Sequence, residues 1–161
     1  MASAYKLYRV EYKLALQDPE FKETRYHNVI FVETGSDGSG YKHHVNGDVV
    51  SETGMTYLRE MESKPDLLET FHAVHYLGWV TSSSYPEAFD ALLRSLPTPP
   101  RQRRFNIQTM KYERCGSDGA FYGPDEIAPP LVKCTEWTHQ TAIPALLQKG
   151  LIQTSEFSQS T

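Results

Sequence analysis

Tyr26 to Glu33 (YHNVIFVE) is rich in β-branched and aromatic residues, and Gly35-Ser36-Asp37-Gly38-Ser39-Gly40 cuts it off before Tyr41 to Val45 sets out again. A run of that kind bounded by turn residues reads as a buried strand, and the segment beyond the turn as its antiparallel return. The pattern therefore commits the chain to a sheet. The glycine-rich stretch is not a phosphate loop: such a cradle needs a helix start directly behind it, and here the chain enters Tyr41-Lys42-His43-His44-Val45.

Other segments fall in around this hairpin. Tyr8, Val10, Tyr12 and Leu14 alternate with polar residues, the period of a half-buried strand. Met55 to Met61 and Phe71 to Val80 read as two more strands, with at most a short helical turn at Ser63 to Asp66 between them. Tyr85 to Leu96 reads as a helix. Ser84 and Glu87 have capping-box spacing, and Phe89, Leu92, Leu93 and Leu96 share one face before Pro97 stops it. Phe105 to Tyr112 reads as a further strand, and Gly116 to Pro130 as loop. A last helix runs from Cys134 to Gly150, with Pro144 kinking it or dividing it in two. The expected fold is α+β: an antiparallel sheet of five to six strands with two main helices packed on it. It forms one domain over residues 1–153, followed by a flexible tail over 154–161.

The 161 residues, 39% of them apolar, suffice for one real core. A net charge of −4 excludes the basic field that holds nucleic acid, and Arg101-Gln102-Arg103-Arg104 reads as a solvated loop. No apolar run approaches the ~18 residues of a membrane span. The opening Met1-Ala2-Ser3-Ala4-Tyr5-Lys6 has no leader pattern, so a cytoplasmic protein is expected. Cys115 and Cys134 are then expected as reduced thiols.

Cys134 is the position that points to chemistry. It stands where a proline-bearing segment turns into a helix, and free amides and the helix dipole there favour a thiolate. An imidazole partner would complete a nucleophilic pair. His27 and His44, on neighbouring strands, can meet across the ladder, while His43 should face away from His44. His72 and His75, three apart on one strand, should point to opposite faces. With no Cys-x-x-Cys or His-Glu-x-x-His, no metal site is expected. His139 is expected to be exposed. The chain has no Gly-x-Ser-x-Gly, no Walker loop and no dinucleotide fingerprint opening a helix, so no cofactor is expected.

Taken together, Tyr26-His27-Asn28-Val29-Ile30, Tyr41-Lys42-His43-His44-Val45 and Lys133-Cys134-Thr135-Glu136-Trp137 resemble the circularly permuted papain-like superfamily, with its NlpC-type and lecithin:retinol acyltransferase-like members. The late Cys-x-x-Trp and the closing Leu147-Gln148-Lys149-Gly150-Leu151 also resemble small uncharacterised fungal proteins of that type. The resemblance implies Cys134 as nucleophile, His27 as general base and His44 as its orienter. The expected activity is hydrolysis or transfer of an amide, ester or thioester on a small-molecule or peptide substrate. The other readings of the same scaffold are a small-molecule-binding protein, a non-hydrolytic cyclase or isomerase using His27 or His44 as acid or base, and an inactive interaction module.

Overall fold

The computed structural model describes residues 3–157. Five strands, β1 (Ala4–Lys13), β2 (Tyr26–Glu33), β3 (Gly40–Asn46), β4 (Thr56–Glu62) and β5 (Phe71–Thr81), form one antiparallel sheet in the order β4-β3-β2-β1-β5. The glycine-rich turn closes β2 onto β3 through the Thr34 and Gly35 amides, both donating to the Ser39 carbonyl. The link from β4 to β5 carries one short 3-10 turn (Pro65–Leu67) and crosses the whole sheet to reach the far edge.

Alternation along the strands gives the sheet two apolar faces. On one, Leu7, Ile30, Val32 and Val45 meet Phe89, Leu93, Trp137, Ala142 and Leu146 from the helices. On the other, Val10, Tyr12, Val29 and Phe31 are covered by Leu68 and Phe71 at the end of the crossover. The architecture is the α+β one expected, a five-stranded sheet with the helices on one face.

Helix α1 (Glu87–Ser95) starts later than the capping-box spacing suggests. The Tyr85–Pro86 turn intervenes, the Ser84 hydroxyl is engaged by Thr81, and the Ser84 backbone carbonyl receives the Phe89 amide instead. Phe89 and Leu93 are fully buried, as their spacing predicts. The segment read as one strand is a separate hairpin, β6 (Arg103–Asn106) and β7 (Lys111–Arg114), because the chain reverses at Ile107 to Met110, where Met110 adopts a positive φ of 58°. Arg103 of the basic cluster is paired with Asp18 and Glu20, so it fastens this hairpin to the β1–β2 loop.

The last helix is continuous but irregular: α2 (Cys134–Glu136), a widened π turn (Trp137–Ala142) and α3 (Ile143–Gln148). The Ile143 amide reaches back to Thr138, and Pro144, which has no amide to donate, follows directly. Of the expected tail, residues 154–157 lie against the sheet edge. Gln153 bridges Trp79, the Trp79 indole donates to the Ser155 carbonyl at 3.0 Å, and Phe157 packs edge-on to Trp79. Residues 158–161, the rest of that tail, lie outside the described residues. Among the described residues no helix is long and apolar enough to cross a membrane.

Candidate functional site

The ladder between β2 and β1 runs to the start of β2, as far as Lys13 opposite Tyr26, whereas that between β2 and β3 stops at Ile30 opposite His43. Tyr26 to Val29 therefore leave one edge free of strand pairing, and the start of α2 packs against both strands there. Polar groups fix it in place. Glu136 accepts the Lys133 amide at 2.9 Å and both arms of the Arg25 guanidinium at 2.8 and 2.7 Å. Burial alone would raise the Glu136 carboxyl, but the hydrogen bonds from Arg25 and the Lys133 amide outweigh it and hold it below its ordinary value. The Asn28 amide donates to the Thr135 hydroxyl at 3.0 Å. The approach is held by Gln102, whose buried side chain pairs with both backbone groups of Val132 at 2.8 and 2.7 Å. Asp18 receives the Lys133 ammonium at 2.6 Å.

These contacts place Cys134 at the first position of the helix, 8% exposed, with Sγ donating to the Tyr26 carbonyl at 3.8 Å. That carbonyl belongs to the peptide joining Tyr26 to His27, so covalent geometry puts Sγ within about 7 Å of the His27 Cα. The Cys134 backbone amide is among the leading helix amides that have no intrahelical acceptor.

His27 and His44 meet directly, Nε2 to Nδ1 at 2.8 Å. The contact extends one step further, from His44 Nε2 to the Glu60 carboxylate at 2.7 Å. A carboxylate only accepts, so His44 carries its proton on Nε2 and accepts at Nδ1; His27 then donates from Nε2, which leaves His27 Nδ1 bare. Burial lowers the His27 imidazole to about 4, and the neighbouring His44 adds to the effect. Burial also lowers His44, against the pull of its bond to Glu60. Both rings are neutral at pH 7, and Glu60 stays ionised, held below its ordinary value by His44.

The sheet limits how the thiol and the imidazole meet. Asn28, Ile30 and Val32 face the helices, whereas His27 alternates with them and shares the outer face with Val29 and Phe31. Of the three residues singled out in the sequence, His27 and His44 are in contact. Cys134 abuts the backbone of His27's neighbour, and its hydrogen bond goes to the Tyr26 carbonyl rather than to an imidazole. Sequence reasoning missed Glu60. Its place on β4, two residues beyond the position opposite His44, was the available signal, since that register brings it diagonally to His44 on one face. Tyr12, opposite His27 on β1, was missed too; it buries a hydroxyl that has no hydrogen-bond partner.

The other histidines have separate tasks. His43 faces away from His44, fully buried between the hydroxyls of Tyr57 and Tyr85, and the Tyr57 hydroxyl donates a hydrogen bond to Asp90 at 2.8 Å. Burial takes His43 down to about 3, despite the opposing pull of Asp90. His72 and His75 depart from the expectation of opposite faces. A register shift between Glu11 and Tyr12 leaves His72 unopposed, and both rings turn to the Glu11 carboxylate at 4.0 and 3.4 Å. His139 is exposed. Among the described residues no group of three or more His, Cys, Asp and Glu side chains is disposed to hold a metal ion.

A family of unknown function, DUF6540, matches this chain over residues 8–153, a span that takes in the site and nearly all of the sheet. No curated protein matches. No solved structure matches.

Proposed function

We propose that this chain, which belongs to the DUF6540 family, performs thiol-dependent acyl chemistry, the hydrolysis or transfer of an amide, ester or thioester. The observation that carries the reading is the chain Glu60–His44–His27, whose free nitrogen belongs to the residue directly after the carbonyl touching Cys134 Sγ. The resemblance of the three short motifs to permuted papain-like proteins supports it independently.

In this reading the start of α2 parts from the free edge of Tyr26–Val29, bringing Cys134 round that edge to the face that holds His27, and His27 Nδ1 takes the thiol proton as sulfur attacks the acyl carbonyl. The oxyanion forms beside the Cys134 amide. Collapse breaks the bond to the leaving amine, alcohol or thiol, which departs with the proton from His27, and a thioester remains on Cys134. Water or a second acceptor gives its proton to His27, attacks the thioester and releases the thiol. Because burial keeps His27 neutral, the imidazole acts as a general base during attack, not as half of a standing ion pair. His44 and Glu60 fix its tautomer and take up the charge that it gains.

Alkylation of Cys134 by iodoacetamide, in a Cys115→Ser background, tests the reading. Base-assisted labelling stays fast at pH 6 and falls off only near the His27 value of about 4, and His27→Ala abolishes that plateau. A rate that drops steadily below a thiol pKa of ~8.5, indifferent to His27→Ala, overturns it.

A second reading rests on the low exposure of Cys134 beside a partly exposed His27 with a bare nitrogen. It is proton transfer on a bound small molecule, as in a cyclase or isomerase, with Cys134 as packing. Turnover that survives Cys134→Ala but not His27→Ala distinguishes it.

A further inference from the structure

The outer face of the sheet holds a second concavity, away from His27. A cavity of about 180 Å³ opens beside the β4–β5 crossover, walled by Tyr8, Phe31, Phe71 and Val74. Phe31 shares its strand face with His27 but lies four residues along, about 13 Å away, with fully buried Val29 between them. The cavity is therefore separate from the thiol–imidazole site.

The charges at its lip do not cancel. Lys64, Asp66 and Glu33 stand there. The Lys64 stem lies over Gly38 of the β2–β3 turn, and its ammonium is 3.7 Å from Asp66. Glu33 faces Lys6 directly across the ladder, yet that ammonium sits over the Phe157 ring at 5.2 Å. Among the described residues no cation lies within ion-pair distance of Glu33. The carboxylate is near enough to Tyr8 to add to the rise that burial imposes on its phenol. An aromatic and apolar recess with an unneutralised carboxylate at its mouth matches a ligand with an apolar body and one positive charge.

We propose that this cavity is a binding site for an organic cation, an ammonium carried on a small aromatic or branched apolar body. The body fills the space between Tyr8, Phe71 and Val74, and the ammonium reaches Glu33 beside the Tyr8 ring. The site is independent of the acyl chemistry proposed above.

Amide NMR titration of the full chain with phenethylammonium, 2-phenylethanol and phenylacetate tests this. The ammonium should give saturable shifts at Tyr8, Phe71 and Val74 and bind about fivefold more tightly than the alcohol. Glu33→Gln should bring the two to parity, and Cys134→Ser should change nothing. Equal or tighter binding of the alcohol or of phenylacetate overturns the proposal, as does the lack of saturation. Shifts gathered around His27 and Cys134 would also overturn it. The comparison of three ligands on the unaltered chain decides the matter even if Glu33→Gln fails to fold.

Discussion

The carboxylate of Glu60 receives the Nε2 proton of His44 at 2.7 Å and so dictates, one ring further on, which nitrogen of His27 is bare. Glu60→Gln keeps the size but loses the obligatory acceptor. Cys134 labelling at pH 6 should slow by about tenfold, with little change in stability because Glu60 is largely exposed. Nitrogen-15 shifts of the imidazoles should show His44 as a mixture of tautomers; an unchanged spectrum and an unchanged rate would remove Glu60 from the relay.

Stability should fall as the solution is acidified from pH 7 to pH 4. Burial sets the folded values of His27 and His43 at about 4 and about 3, below the ~6.5 of an unfolded imidazole. Below pH ~6.5 the unfolded chain therefore takes up protons that the folded chain refuses. The stabilisation is fully present above that value and is lost as pH falls toward the folded one. For His27 alone the loss is on the order of 3 kcal/mol by pH 4. Urea midpoints measured at intervals across this range check it, and His27→Asn should flatten the slope.

Asp18 draws Arg103 and Lys133 together, at 2.6 and 2.8 Å to the guanidinium and 2.6 Å to the ammonium. Its side chain is 9% exposed, so Asp18→Ala leaves the Lys133 ammonium without its ion partner and the Arg103 guanidinium with Glu20 alone. The expected cost is about 2 kcal/mol. Amide exchange should quicken from Leu131 to Glu136 before the sheet is affected. Uniform exchange across the chain would instead mean that Asp18 supports only global stability.

Gly78 has a φ of 142°, and a Cβ there would strike the carbonyl of Gln153. Gly78→Ala should detach residues 152–157 from the edge of β5 and expose Trp79, which a red shift in tryptophan emission would report. Trp137, 1% exposed, gives the constant background.

Much of this architecture is legible in the residues themselves. Tyr26–Glu33 carries its strand in its own composition, and Phe89 and Leu93 mark the buried side of α1. The failures share a cause: each depends on a neighbour that local pattern does not reveal. Ser84 has the spacing of a cap, but Thr81 engages its hydroxyl. His72 and His75 obey alternation only while the register with β1 is unbroken, and it breaks at Glu11. At the site, His27 and His44 were legible because adjacent strands bring them together. Glu60 was not, because it enters diagonally from a third strand. The bond from Asn28 to Thr135 was not legible either, because it joins residues 107 positions apart.

The early end of the β2–β3 ladder has a kinetic consequence. Reaching the sulfur means parting the start of α2 from the free edge of Tyr26–Val29, where no interstrand hydrogen bonds to β3 have to be broken. Under the proposed acyl chemistry, opening that seam breaks the Asn28–Thr135 and Arg25–Glu136 side-chain bonds and leaves the ladder from Ile30 to Glu33 zipped, so admission to the thiol need not cost the molecule its fold.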